Sequence, residues 1–84
     1  MKSTKNVDIS PAQVRAARAL LGMTQGRLAK AAGLGLSTVV DFEKGRRQVS
    51  DETVEAIRKA LERAGAELIN ENGGGEGVRR KRRK

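Results

Sequence analysis

The stretch TQGRLAKAAGLGLSTVVDFEKG, residues 24–45, sets an alanine, a glycine and two apolar residues at the offsets that two short crossing helices require. Counted from Gln25, Ala29 lies four residues on, Gly33 eight, Val39 fourteen and Phe42 seventeen. Ala29 is small where a second helix must approach, Gly33 accepts the positive φ of a sharp turn, and Val39 and Phe42 return apolar groups to a core. Thr24 caps the first of the pair, which carries Leu28, Ala29 and Ala32 inward, and the second runs from about Leu36 to Lys44. Between them Gly33 and Gly35 flank Leu34, an apolar plug. A valine at position 33 is expected to unfold this unit, because a β-branched residue resists positive φ.

The flanks extend the helix-turn-helix pattern to four helices. Upstream, Ser10 is an N-cap, Pro11 stands at the first helical position, and Gln13 is placed to close a capping box. This helix runs to Leu21 before Gly22, with Val14, Ala17, Leu20 and Leu21 on one face and Gln13, Arg15 and Arg18 near the start of the next helix. Downstream of Gly45, a basic loop of Arg46, Arg47, Gln48 and Val49 leads to Ser50, the cap of a helix whose first turn holds Asp51 and Glu52. In that helix Val54, Ile57 and Leu61 recur at helical spacing, Arg58, Lys59, Glu62 and Arg63 are expected to face water, and Gly65 ends it. The fold expected is all-α, a compact four-helix domain over residues 10–65. Residues 1–9 are expected to be a flexible N-terminus and residues 66–84 a glycine-rich, basic extension. Leu68, Ile69 and Val78 flank the glycine-rich segment, which is consistent either with a short β-hairpin or with a disordered basic tail.

With 84 residues the chain is one small domain near the lower size limit for independent folding. It has no cysteine and no histidine, so disulfides, thiolate or imidazole metal sites and His- or Cys-based catalysis are excluded. No cofactor, metal ion or enzymatic activity is expected. No apolar run approaches the roughly 20 residues that span a bilayer, and MKSTKNVDIS lacks the apolar stretch of a secretion signal. A cytoplasmic protein is therefore expected. The net charge of +8 is unevenly placed: residues 1–40 carry six basic residues against Asp8 alone, residues 41–78 carry six against nine acidic, and RRKRRK at 79–84 adds six more. A basic front half, a mildly acidic back half and a basic tip fit an anionic partner met on one side. The terminal run is equally consistent with a phosphate contact and with a solvated end.

The run ISPAQVRAARALLGMTQGRLAKAAGLGLSTVVDFEKGRRQVS, residues 9–50, resembles the Cro and phage-repressor type of helix-turn-helix, the xenobiotic-response-element family of bacterial regulators. The resemblance rests on LLGMTQ, LA, AAGL, STV and FEKGRR in order and at family spacing. It implies that the third helix enters the major groove of double-stranded DNA with Leu36, Ser37, Thr38 and Asp41 facing bases. Leu36 stands where the family usually has a polar residue, and Asp41 where Arg, Lys or Gln is frequent. The aspartate is expected to accept from a cytosine amino group, or to turn toward Arg18 or Lys44 and exclude wrong bases. Gln25 is implied to contact a phosphate, and so are Arg18, Arg27, Lys44, Arg46 and Arg47. Glu43 is implied to pair with Arg18 and aim it, with the modest energy of an exposed pair. Ala29, Gly33, Val39 and Phe42 are the structural positions of the motif.

Two functions follow. One is a sequence-specific repressor that binds a palindromic site as a homodimer. The other is an antitoxin or interaction module that holds a toxin or other protein partner through its C-terminal half and autoregulates its operon. Helix four with Leu68, Ile69 and Val78 is a candidate dimer surface. The lone aromatic, Phe42, argues against single-strand binding, which uses several exposed rings.

Overall fold

The computed structural model describes residues 9–46, 49–71 and 73–81. Four helices, α1 (Pro11–Leu21), α2 (Gln25–Ala32), α3 (Leu36–Lys44) and α4 (Asp51–Ala64), precede two strands, β1 (Ala66–Ile69) and β2 (Gly77–Arg80). Each boundary has a local cause. Ser10 accepts from the Gln13 N–H at 3.1 Å while Gln13 Oε1 accepts from the Ser10 N–H at 2.9 Å, a closed capping box. Thr24 and Ser50 accept from Arg27 N–H and Thr53 N–H at the starts of α2 and α4.

Gly33 ends α2 at φ 73°, and its N–H and that of Leu34 bond back to the Lys30 and Ala29 carbonyls. This left-handed cap reverses the chain so that α3 packs on α2. Gly35 is extended instead, at φ −74°, and serves as the N-cap of α3. Leu28, Ile57, Leu61, Val14 and Val39 are the largest fully buried side chains, joined by Ala29, Phe42, Ala17 and Ile9 in one core. Burial of each such branched side chain contributes about 1.5–3 kcal/mol.

Strands β1 and β2 pair antiparallel, in the register Ala66↔Arg80, Glu67↔Arg79, Leu68↔Val78, Ile69↔Gly77. Alternation along the strands turns Ala66, Leu68 and Val78 to the core and leaves Glu67 and Arg79 outside, paired at 2.9 Å. The hairpin packs on α1 and α4 rather than standing free.

Three expectations are corrected here. Leu20 is 42% exposed, because on a 100° wheel it falls off the stripe of Val14, Ala17 and Leu21. Gln13 does not approach the next helix; it is 3% exposed, and its Nε2 donates to the Ile69 and Gly77 carbonyls at 2.9 and 3.0 Å, holding both strands. Arg58 does not simply face water, since Glu55 and Glu62 bracket it one turn before and after. Burial lowers its pKa, but those carboxylates outweigh it and the guanidinium is held above its ordinary value.

Candidate nucleic-acid interface

The inward positions of α3 are taken by Val39, Phe42 and Glu43, all buried. On a 100° wheel this leaves Ser37, Asp41 and Lys44 outward, with Thr38 and Val40 on the two flanks. Leu36 is 52% exposed and Ser37 is exposed, whereas Thr38 and Asp41 are half-buried. Val40 was not singled out in the sequence. It is half-buried one turn beyond Leu36, so the outer face of α3 has an apolar strip beside its polar groups. The signal that could have found it is the i, i+4 spacing from Leu36.

Asp41 turns to neither Arg18 nor Lys44. Its Oδ1 lies 3.8 Å from Nη1 of Arg46, with the arginine 61% and the aspartate 25% exposed. The reason is the chain reversal at Gly45, where the left-handed cap lets the Arg46 N–H donate to the Asp41 carbonyl at 2.9 Å and brings the two side chains together. Lys44 is exposed at the same end of α3. Arg47 lies outside the described residues.

Glu43 is the hub that fixes α3 against α1 and α2. Its Oε2 accepts from Arg18 Nε at 2.7 Å, and its Oε1 accepts from Arg18 Nη2 at 2.9 Å and from Gln25 Nε2 at 3.1 Å. Its backbone carbonyl accepts from Arg15 Nη1. With the Glu43 side chain 2% and that of Arg18 20% exposed, this is a buried pair, and the small energy of an exposed one does not apply. The hydrogen bond to Glu43, opposed by burial, holds the Arg18 guanidinium above its ordinary pKa. A third donor of Arg18, Nη1, reaches the Met23 carbonyl at 3.0 Å. Three of its five N–H groups thus point into the protein, which makes it a strut between helices as well as a candidate phosphate ligand.

The amide of Gln25 is likewise turned to Glu43, leaving the backbone N–H groups at the start of α2 as its approach to a phosphate. Arg27 is exposed on the first turn of α2. Arg15 is the residue whose part in this cluster the sequence did not disclose, since its partner is a backbone carbonyl of a helix 28 positions away.

Start of α2, outward face of α3 and the Lys44–Arg46 turn thus connect through Glu43 and Gly45, a polar and basic surface on rigid helices. Among the described residues no group of acidic, histidine or cysteine side chains could hold a metal ion, and no helix is long and apolar enough to cross a membrane. A family model described as helix-turn-helix matches residues 14–68, running from within α1 into β1. No curated protein matches the chain.

Proposed function

Because the chain belongs to the Cro and phage-repressor-like family of helix-turn-helix DNA-binding regulators, we propose that it binds one double-stranded sequence as a dimer, with α3 in the major groove, and represses transcription there. The observation that carries this reading is the outward face of α3, where Leu36 and Ser37 project beside Thr38 and Asp41 on a helix anchored through buried Glu43. Ser37 and Thr38 supply hydrogen bonds to base edges, Leu36 with Val40 supplies apolar contact for a thymine methyl, and Asp41 selects against groups that repel a carboxylate. Arg27, Lys44, Arg46 and Arg47, with the first amides of α2, hold the backbone and set the register. A partner-protein role in the C-terminal half is less well supported, because Leu68 and Val78 are spent on the chain's own core.

The test is selection of binding sites from a random duplex library, followed by fluorescence-anisotropy titration of the selected and a scrambled duplex at several salt concentrations. A palindromic site preferred by about 10³-fold or more supports the reading. No enriched sequence, with equal affinity for all duplexes, overturns it.

A further inference from the structure

Leu20 and Leu36 are the large apolar side chains that the fold leaves exposed among the described residues, at 42% and 52%. Leu36 stands on the helix proposed to face bases, whereas Leu20 serves neither base nor phosphate contact. Beside it, α1 and β2 form a groove of about 180 Å³ lined by Ala12, Gln13, Ala16, Glu76, Gly77 and Val78. An apolar cavity of about 150 Å³ admits benzene, so the groove has room for a branched aliphatic side chain. Gln13 is 3% exposed and its amide is bonded to the Ile69 and Gly77 carbonyls, which leaves the methyl groups of Ala12, Ala16 and Val78 as the apolar walls. Leu20 follows Ala16 by four residues and Ala12 by eight, so the projecting side chain and the groove share one side of α1. Strand β2 runs along that side in the direction of α1. Before its start Glu76 accepts from Ser10 Oγ at 2.8 Å, and at its end Arg80 Nη2 donates to the Leu20 carbonyl at 3.1 Å. A carboxylate thus marks the groove end of this surface and a guanidinium marks the Leu20 end.

We propose that this side of α1 and β2 docks on a second copy of the chain, with Leu20 of each entering the groove of the other. The surface is self-complementary, as a two-fold interface requires. An axis near Ala16 sets the two α1 helices antiparallel, so Leu20, four residues after Ala16, meets the partner's Ala12, four residues before it. The same axis brings Arg80 to the partner's Glu76. The small side chains of Ala12 and Ala16 let the helices approach closely, and Leu20 leaves water. Two Arg80–Glu76 pairs fix the antiparallel sense, because a parallel pairing would set like charges together. Arg15, next to Ala16 in sequence, is turned away to the Glu43 carbonyl. The patch has far fewer than the roughly 20–30 residues a side of a standard interface, so the free dimer is weak, with a Kd on the order of 10–100 μM. This surface lies on α1 and β2 rather than on α4 with Leu68 and Ile69. It deepens the dimer proposed above and rests on that reading for what the dimer does on DNA, though not for the association itself.

Sedimentation velocity of the full chain without DNA, over a concentration series spanning that range, tests the proposal. The chain is expected to pass from monomer to dimer. Leu20→Gln, which keeps a helix former at an exposed position, is expected to weaken association about tenfold or more, and so are Glu76→Arg and Arg80→Glu singly. Glu76→Arg combined with Arg80→Glu is expected to restore it, because the exchanged charges lie at opposite ends of β2 within one copy and meet only across two. A second measurement leaves the surface's charges alone. Ala16→Cys gives the chain its only cysteine, close to the axis, and is expected to form a disulfide with its copy on air oxidation, whereas Ala31→Cys, exposed on α2, is not. A monomer at every concentration would overturn the proposal, as would a dimer that these substitutions leave unchanged and that Ala16→Cys does not trap. Two chains on the selected duplex alongside such a result would leave the regulator reading standing with a different dimer surface. An α1 dimer whose site selection enriches no duplex would instead overturn the regulator reading and keep the dimer.

Discussion

At the scale of single residues, the Asp41–Arg46 pair is the place where charge and recognition meet. Arg46 is mostly exposed and sits beside a carboxylate that a phosphate must displace or leave behind, so Asp41 taxes backbone binding on every sequence. Asp41→Asn removes that tax. It is expected to raise affinity for a scrambled duplex by several-fold, on the order of 1 kcal/mol, and to narrow the gap between selected and scrambled sites. Anisotropy titrations check this, and unchanged affinity on both duplexes would show that the pair is bypassed in the complex. Glu43 is the opposite case, since its carboxylate is buried and serves two helices at once. Glu43→Ala leaves the Arg18 guanidinium without its partner in a half-buried setting and is expected to cost about 3–5 kcal/mol in chemical denaturation. A loss under 1 kcal/mol would mean the arginine finds water instead. Gly33 behaves more mildly than its sequence context implies. A Cβ built there meets nothing within 4 Å, so only the backbone at φ 73° resists substitution. Gly33→Ala is therefore expected to cost about 1–2 kcal/mol and Gly33→Val somewhat more, a weakened motif rather than an unfolded one.

Among the elements, the hairpin depends on α1 more than on itself. Two strands of four residues are marginal alone, and Gln13 supplies two of the bonds that hold them, one to each strand, at the end nearest the glycine-rich turn. Gln13→Ala removes these and opens the capping box, and is expected to lower stability by about 2–3 kcal/mol, read as a fall in thermal midpoint. The outer pair Glu67–Arg79 adds a pH dependence. The hydrogen bond and charge of Arg79 hold the Glu67 carboxyl below its ordinary 4.5, so the folded chain binds fewer protons there than the unfolded one. That contribution is complete above the ordinary value and disappears as pH falls through the lowered one. Both groups are exposed, so the effect is small: acidification is expected to weaken the native chain slightly more than Glu67→Gln, and identical acid profiles would remove the pair from the account.

For the whole molecule, the proposed dimer places two copies on DNA, with their α3 helices about 34–36 Å apart in successive major grooves. The selected site is expected to be palindromic, and sedimentation on that duplex is expected to give two chains per site; one chain per site would contradict the dimer. Much of the helical fold was legible in the sequence, because it depends on short-range geometry. The caps at Ser10, Thr24 and Ser50, the left-handed turn at Gly33 and the inward Val39 and Phe42 follow from backbone sterics and helical period, which neighbours along the chain determine. The sequence alone therefore determined four helices, their order, and the inward side of α3 at Val39 and Phe42. Tertiary structure decided whether β1 and β2 pair, that Gln13 clamps them, and that Glu43 is buried under Arg18 and Gln25. These are contacts of three kinds that local pattern does not encode: strand pairing across a long loop, a side chain bonding a distant carbonyl, and desolvation of a charge. Each depends on which surfaces the packed helices bring together, and only the closed core establishes that.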